Sequence, residues 1–228
     1  MLLTATGLQV DVEHLKPSDI RAYDIAWSLS NLNRFGGHAL LPWDVLSHVG
    51  LSYWLYVQDM KGKIEAEFAL ALLLHSAPKA YVGDIAPIAQ SADLRYVEEL
   101  ARRAIYQRFQ ISEEPLAGIP WDMVERYDKQ ATSIEYHALF PGAKDSPKPE
   151  YEMPRFPILV KAKVPDFISI LKFAAINHDV ADVTGLFEVS EALKPLVAEA
   201  TPPVVDVVHE GDVDIEVRDY SAIEKVTL

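Results

Sequence analysis

The side chains of this chain that are able to do chemistry are imidazoles, carboxylates and a few cations: it holds seven histidines and no cysteine. Thiolate nucleophiles, disulfides and cysteine-held zinc or iron–sulfur centres are therefore excluded. There is no glycine-rich phosphate loop of the P-loop type, no GxSxG elbow and no HExxH pair. The residues left to weigh are His48, His75, Asp84 and Asp128, with Arg34, Phe35 and Lys79. Taken singly, each has an ordinary reading. His75 closes the apolar run FALALLLHS, where a lone histidine is usually a hydrogen-bonded core residue. Asp128, in ERYDKQ, reads as surface; Asp84, in VGDI, suits a cap on the turn before Pro87; His38, in GGHA, reads as exposed. Imidazole and carboxylate become a chemical set only when brought together. Jointly they hold a borderline transition metal, which lowers the pKa of bound water and polarises a phosphoryl oxygen.

Helices have to do the positioning. Alternation of Leu8, Val10 and Val12 predicts a short strand before Pro17, followed by a helix capped by Ser18 that runs to about Asn33 and is ended by Gly36-Gly37. Asp44 caps a second helix carrying Val45, Val49, Leu51, Trp54 and Leu55, and a third covers about 64–75. That third helix is apolar on nearly every side, which places it at the centre of a bundle. Further helices are expected over 94–109 and 121–139. Five prolines between 141 and 157 (Pro141, Pro147, Pro149, Pro154, Pro157) cannot continue a helix, so the chain divides into 1–145 and 146–228. The second part should hold helices near 166–177 and 184–197. Period-two runs, VVDVV and VDIEV, flank His209-Glu210-Gly211-Asp212 and predict a β-hairpin. The expected class is mainly all-α, and no internal repeat is visible.

Half of the 228 residues are hydrophobic and 24% are charged, the balance of a folded globular protein. A net charge of −13 argues against extended nucleic acid as a partner, because that affinity rests on many Lys and Arg neutralising phosphates; one small phosphate in a local basic pocket stays open. From Glu199 onward eight acids accompany two bases, −6 of the −13, either a solvated acidic edge or a docking arm. The N-terminal MLLTATGLQVDVEHLKP lacks the features of a signal peptide, and nowhere do about eighteen uncharged apolar residues run together. A cytoplasmic protein with no membrane association is expected.

The run DIAWSLSNLNRFGG, then VLSH ending at His48, then LLLHSAPKAYVGDIAP, then Asp128 with Glu135 beyond it, resembles bacterial and phage HD-domain phosphohydrolases over about residues 7–141. The likeness is strongest to the branch that includes the 5′-deoxynucleotidases. It implies an HD-type helical bundle in which His48, an adjacent His-Asp pair at 75–76, and Asp128 converge on a divalent metal. It further implies that Arg34 contacts phosphate, that Phe35 packs on base or sugar, and that Asp84 is an acid near the site.

Three positions depart from the resemblance. Ser76 stands for the aspartate of the pair, Lys79 for an acid that orients or activates water, and Trp27 for a histidine. A serine hydroxyl is a poorer ligand than a carboxylate, and Lys79 cannot accept a proton at neutral pH. The expectation is a non-catalytic relative that serves as a nucleotide-binding, regulatory or protein-interaction module, with no cofactor. The alternative is an active metal-dependent (deoxy)nucleotide phosphohydrolase using Mn, Co, Ni, Zn or Fe, with Asp84 or a water completing the shell. Homo-oligomers are implied by the resemblance, and a protein partner on the C-terminal extension is the docking-arm reading of its acidic tail. Lys79 lies four residues after His75 and is expected either to take over the metal's charge role toward Asp128 or to sit in solvent.

Overall fold

Nine residues, AEFALALLL, set the architecture: most are strong helix formers and they offer no polar face, so the helix they make must be covered on all sides. They form α3 (Ala66–Leu74), in which every residue from Phe68 to Leu74 is buried. Glu65 caps it by accepting a hydrogen bond from the Phe68 backbone N–H. The computed structural model describes residues 1–61, 63–112, 120–140 and 161–189. Around α3 it packs α2 (Val45–Met60), α5 (Ala92–Phe109), α6 (Trp121–Leu139) and α7 (Val164–Asn177). Helix α1 (Ala22–Asn31) lies against α2, α7 and the short α4 (Lys79–Val82), and α8 (Val183–Leu186) lies against α7. The described residues are mainly helical; their one sheet is the antiparallel pair β1 (Leu2–Leu3) and β2 (Gln9–Val10). No helix among them is long and apolar enough to cross a membrane.

Several element ends differ from the sequence pattern. Ser18 does not cap α1. Pro17–Asp19 instead form a 3₁₀ turn, Asp19 accepts from the Lys16 backbone N–H, and α1 starts only after Arg21. The helix stops at Asn31, and Gly36-Gly37 belong to a turn beyond it. The strand expected around Leu8–Val12 shortens to Gln9–Val10 because Val12–His14 already turn. Asp44 does cap α2, its carboxylate accepting from the Ser47 N–H at 2.7 Å, and α6 has the expected ends. The helix expected over 184–197 is a single turn, Val183–Leu186, within the described residues. The predicted hairpin about Gly211, the acidic segment from Glu199 and the expected boundary near 145 all lie outside the described residues.

Helix α7 is built into the bundle. Phe167, Ile168, Leu171, Ala174 and Ala175 share one core with α1, α2 and α3. The chain enters it across α2, where the Ala162 N–H donates to Ser47 Oγ at 3.0 Å. A side chain on Gly50 would begin 3.2 Å from the Ala162 methyl, so the glycine is what lets the segment approach. The two faces of α7 should therefore respond differently to truncation. Leu171→Ala is expected to cost about 2–5 kcal/mol in denaturant unfolding followed by circular dichroism. Phe173→Ala, at a ring 58% exposed, should cost under about 1 kcal/mol. Equal small losses would mean that α7 is not part of the cooperative core.

Candidate metal centre

Helix α6 presents Asp128, Thr132 and Glu135 at i, i+4 and i+7, a spacing that lines them along one face. Helix α2 packs against that helix and brings the fully buried His48 between the two acids. His48 Nε2 lies 2.7 Å from Asp128 Oδ1, and Nδ1 lies 2.9 Å from Glu135 Oε1. His75 follows the last residue of α3. Its Nδ1–H donates to the Leu72 carbonyl at 2.6 Å, which turns Nε2 to 3.4 Å from His48 Nε2 and 3.6 Å from Asp128 Oδ1. One ligand atom each from His48, His75 and Asp128 thus lies within 4.8 Å of the others.

Burial pushes the Asp128 carboxyl upward, but hydrogen bonds from His48 and His75, together with their charge, outweigh it and hold the group well below the usual carboxylate range. Glu135 behaves the same way: burial raises it, and the His48 charge and hydrogen bond, the Arg34 charge and the Trp43 hydrogen bond bring it below its ordinary value. Both acids are therefore ionised; Glu135 is sealed from water, whereas the Asp128 side chain is 40% exposed.

Glu135 is compensated by a loop. The Arg34 N–H donates to the Trp43 carbonyl at 2.8 Å, and Asn33 bridges Asp44, so the segment between α1 and α2 folds back with Arg34 beside Trp43. The Trp43 indole donates to Glu135 Oε1 at 2.7 Å. Arg34 Nε sits 3.0 Å from Glu135 Oε2, a charge–charge contact rather than an aligned hydrogen bond, and Arg34 Nη2 donates to Thr132 at 3.1 Å. Phe35, with φ 58°, packs its ring on Tyr136 and Phe140 at 5.0 and 5.2 Å.

The structure therefore brings His48, His75 and Asp128 together and treats the other candidates differently. Arg34, expected at phosphate, is buried at 7% exposure against α6. Phe35 packs on protein rings. Lys79 does not face Asp128: its ammonium pairs with Asp84 Oδ1 at 2.7 Å. The i+4 rule fails there because α3 ends before His75, Pro78 starts α4, and Gly83 at φ 87° swings Asp84 back toward Lys79. Ser76 is buried beside His75, Trp27 is half-buried on α1 and His38 is exposed. Sequence reasoning gave Glu135 no role, and it passed over Trp43 and Thr132. The seven-residue step from Asp128 to Glu135 was the available signal.

The donor set fits a divalent transition metal. Two imidazole nitrogens and a carboxylate oxygen face one another, and the outer nitrogen of each ring is tied, His48 to Glu135 and His75 to a backbone carbonyl, the arrangement that orients histidine ligands. No family model matches the chain. The uncharacterized protein YfdR of Escherichia coli (strain K12) is 33% identical over 108 residues, which cover 46% of this chain and 56% of YfdR. The chain thus spans little more than half the length of that relative, and the likeness carries no assigned activity.

Proposed function

We propose that this chain is a non-catalytic HD-domain module that binds a divalent transition metal through His48, His75 and Asp128 and, beside it, a nucleotide or other small phosphate ligand. The observation that carries this reading is a ligand set that is still convergent, together with the Lys79–Asp84 ion pair that begins four residues along the chain from His75. Where the resemblance implies an acid, the chain has an ammonium. The neighbouring Asp84 is held by it, so neither group is placed to take a proton from water. Ser76 brings no charge, and Glu135 is offset by Arg34. Asp128 is then the one uncompensated anion toward a dication, which leaves the centre net positive and suited to an anion. A bound metal would supply attraction for a phosphate oxygen at this position. Lys79 and Asp84, tied to each other, restrict the site to binding.

A second reading, an active metal-dependent phosphohydrolase with an atypical site, draws on one observation: three protein ligands is the number found in catalytic rather than structural metal sites.

Titration calorimetry of the purified chain with Mn²⁺, Co²⁺ or Zn²⁺ should show one site, lost in His75→Ala. The absence of binding would count against the metal site. With Mn²⁺, Co²⁺ or Ni²⁺ present, deoxynucleoside monophosphates and triphosphates should release no phosphate above background. Sustained release that disappears in His75→Ala would establish the enzyme instead. The double substitution Ser76→Asp with Lys79→Glu should tighten metal binding by at least about tenfold, the equivalent of about 1.4 kcal/mol.

A further inference from the structure

His75 and His48 are both held from behind, but by different means: His75 by a backbone carbonyl of its own helix, and His48 by a side chain that itself needs support. We propose that Glu135 is a positioning residue for His48, kept in place by Arg34 and Trp43, and that Arg34 acts on the metal centre through Glu135 rather than by touching a phosphate ligand. The proposal rests on the metal-binding reading above.

A neutral imidazole carries one N–H, and which nitrogen holds it decides which nitrogen has a lone pair. With a metal on Nε2, the proton of His48 sits on Nδ1, and Glu135 Oε1 at 2.9 Å accepts it. Nε2 also lies 2.7 Å from Asp128 Oδ1, so without a metal each ring nitrogen faces a carboxylate. Glu135 therefore fixes the orientation of the ligating ring and supports the Nδ1–H form that ligation requires.

Glu135 is wholly buried, and its carboxylate has to be fixed for this to work. The Trp43 indole fixes Oε1 at 2.7 Å, and Arg34 meets Oε2 at 3.0 Å. Arg34 is in turn held at a second point by Thr132, one turn away on α6, and its guanidinium lies 5.0 Å over the Phe35 ring. A guanidinium engaged on one helix at two points, and so nearly buried, does not present its fork to an incoming anion. The backbone hydrogen bond from Arg34 to Trp43 makes the two supports one unit.

The test uses the full chain, Zn²⁺ calorimetry in phosphate-free buffer, and ¹H–¹⁵N spectra of the Zn²⁺-loaded protein, which read the His48 Nδ1–H proton. Removing both charges at once, Arg34→Met with Glu135→Leu, avoids stranding either in the core and should weaken Zn²⁺ roughly 10–100-fold and move that proton upfield from its carboxylate-bonded position. Glu135→Gln, which keeps an acceptor for Nδ1–H, should move it less and lose less affinity. Arg34→Gln should weaken Zn²⁺ although no phosphate is present. Unchanged Zn²⁺ affinity and an unchanged His48 Nδ1–H shift in the double variant would overturn the positioning role. An Arg34→Gln protein with normal Zn²⁺ affinity but weaker inorganic phosphate binding would overturn the part assigned to Arg34. Failure of the unaltered chain to bind Zn²⁺ would remove the metal-binding reading itself, a result distinct from either.

Discussion

A carboxylate sealed from water must find its compensation inside the protein, and Glu135 finds it in three places: the His48 ring on α2, and Trp43 and Arg34 from the loop between α1 and α2. Much of the local backbone is set by that requirement. The chain has to leave α1, pass Arg34, reverse and return with Trp43 alongside, and it does so through successive left-handed residues, Phe35, Gly36 and Gly37. Glycine takes that conformation freely, whereas Phe35 does so against its preference. Its ring is held by Tyr136 and Phe140, immediately beyond Glu135 on the same stretch of chain. The end of α6 thus supplies both the charge that draws the loop in and the aromatic surface that keeps it there.

The same network explains how much was legible beforehand. Local patterns located the helices well where one strong signal stood alone: the all-round apolar run of α3, the Asp44 cap of α2, the length of α6. They failed where two local signals competed, as at Ser18, where Pro17 and Asp19 make a turn of their own before α1 begins. The meeting of His48, His75 and Asp128 was not readable from those residues singly. His75 looked like core and Asp128 like surface, and only the family resemblance joined them. Glu135 went unassigned because its partners Trp43 and Arg34 lie more than ninety residues away in sequence, where no periodicity connects them.

Lys79 shows the limit of extending a helical rule past a proline. Spacing from His75 left it either over Asp128 or in solvent, and the first holds only while one helix continues, whereas here Pro78 opens a new one. The ammonium then meets Asp84, which the left-handed Gly83 returns to it. The consequence is electrostatic rather than steric: the Asp84 carboxylate is neutralised by Lys79, a near neighbour in the chain.

These charges also serve the packing of the bundle. Asp128 and Glu135 sit on opposite sides of one imidazole, and that imidazole belongs to α2 while both acids belong to α6. The three side chains are therefore part of the contact between two helices of the bundle as well as a place for a metal. His48 and Glu135 are fully buried, so removing either leaves a buried group uncompensated, which costs more than the pair itself contributes. Ser76 and Lys79 stand outside this set: their backbones belong to the α3–α4 turn, and Lys79 is answered locally by Asp84. Change at positions 76 and 79 thus leaves the α2–α6 contact intact, whereas change at 48, 128 or 135 does not. Packing alone is enough to hold the facing geometry of His48, Asp128 and Glu135 in place, whatever stands at positions 76 and 79.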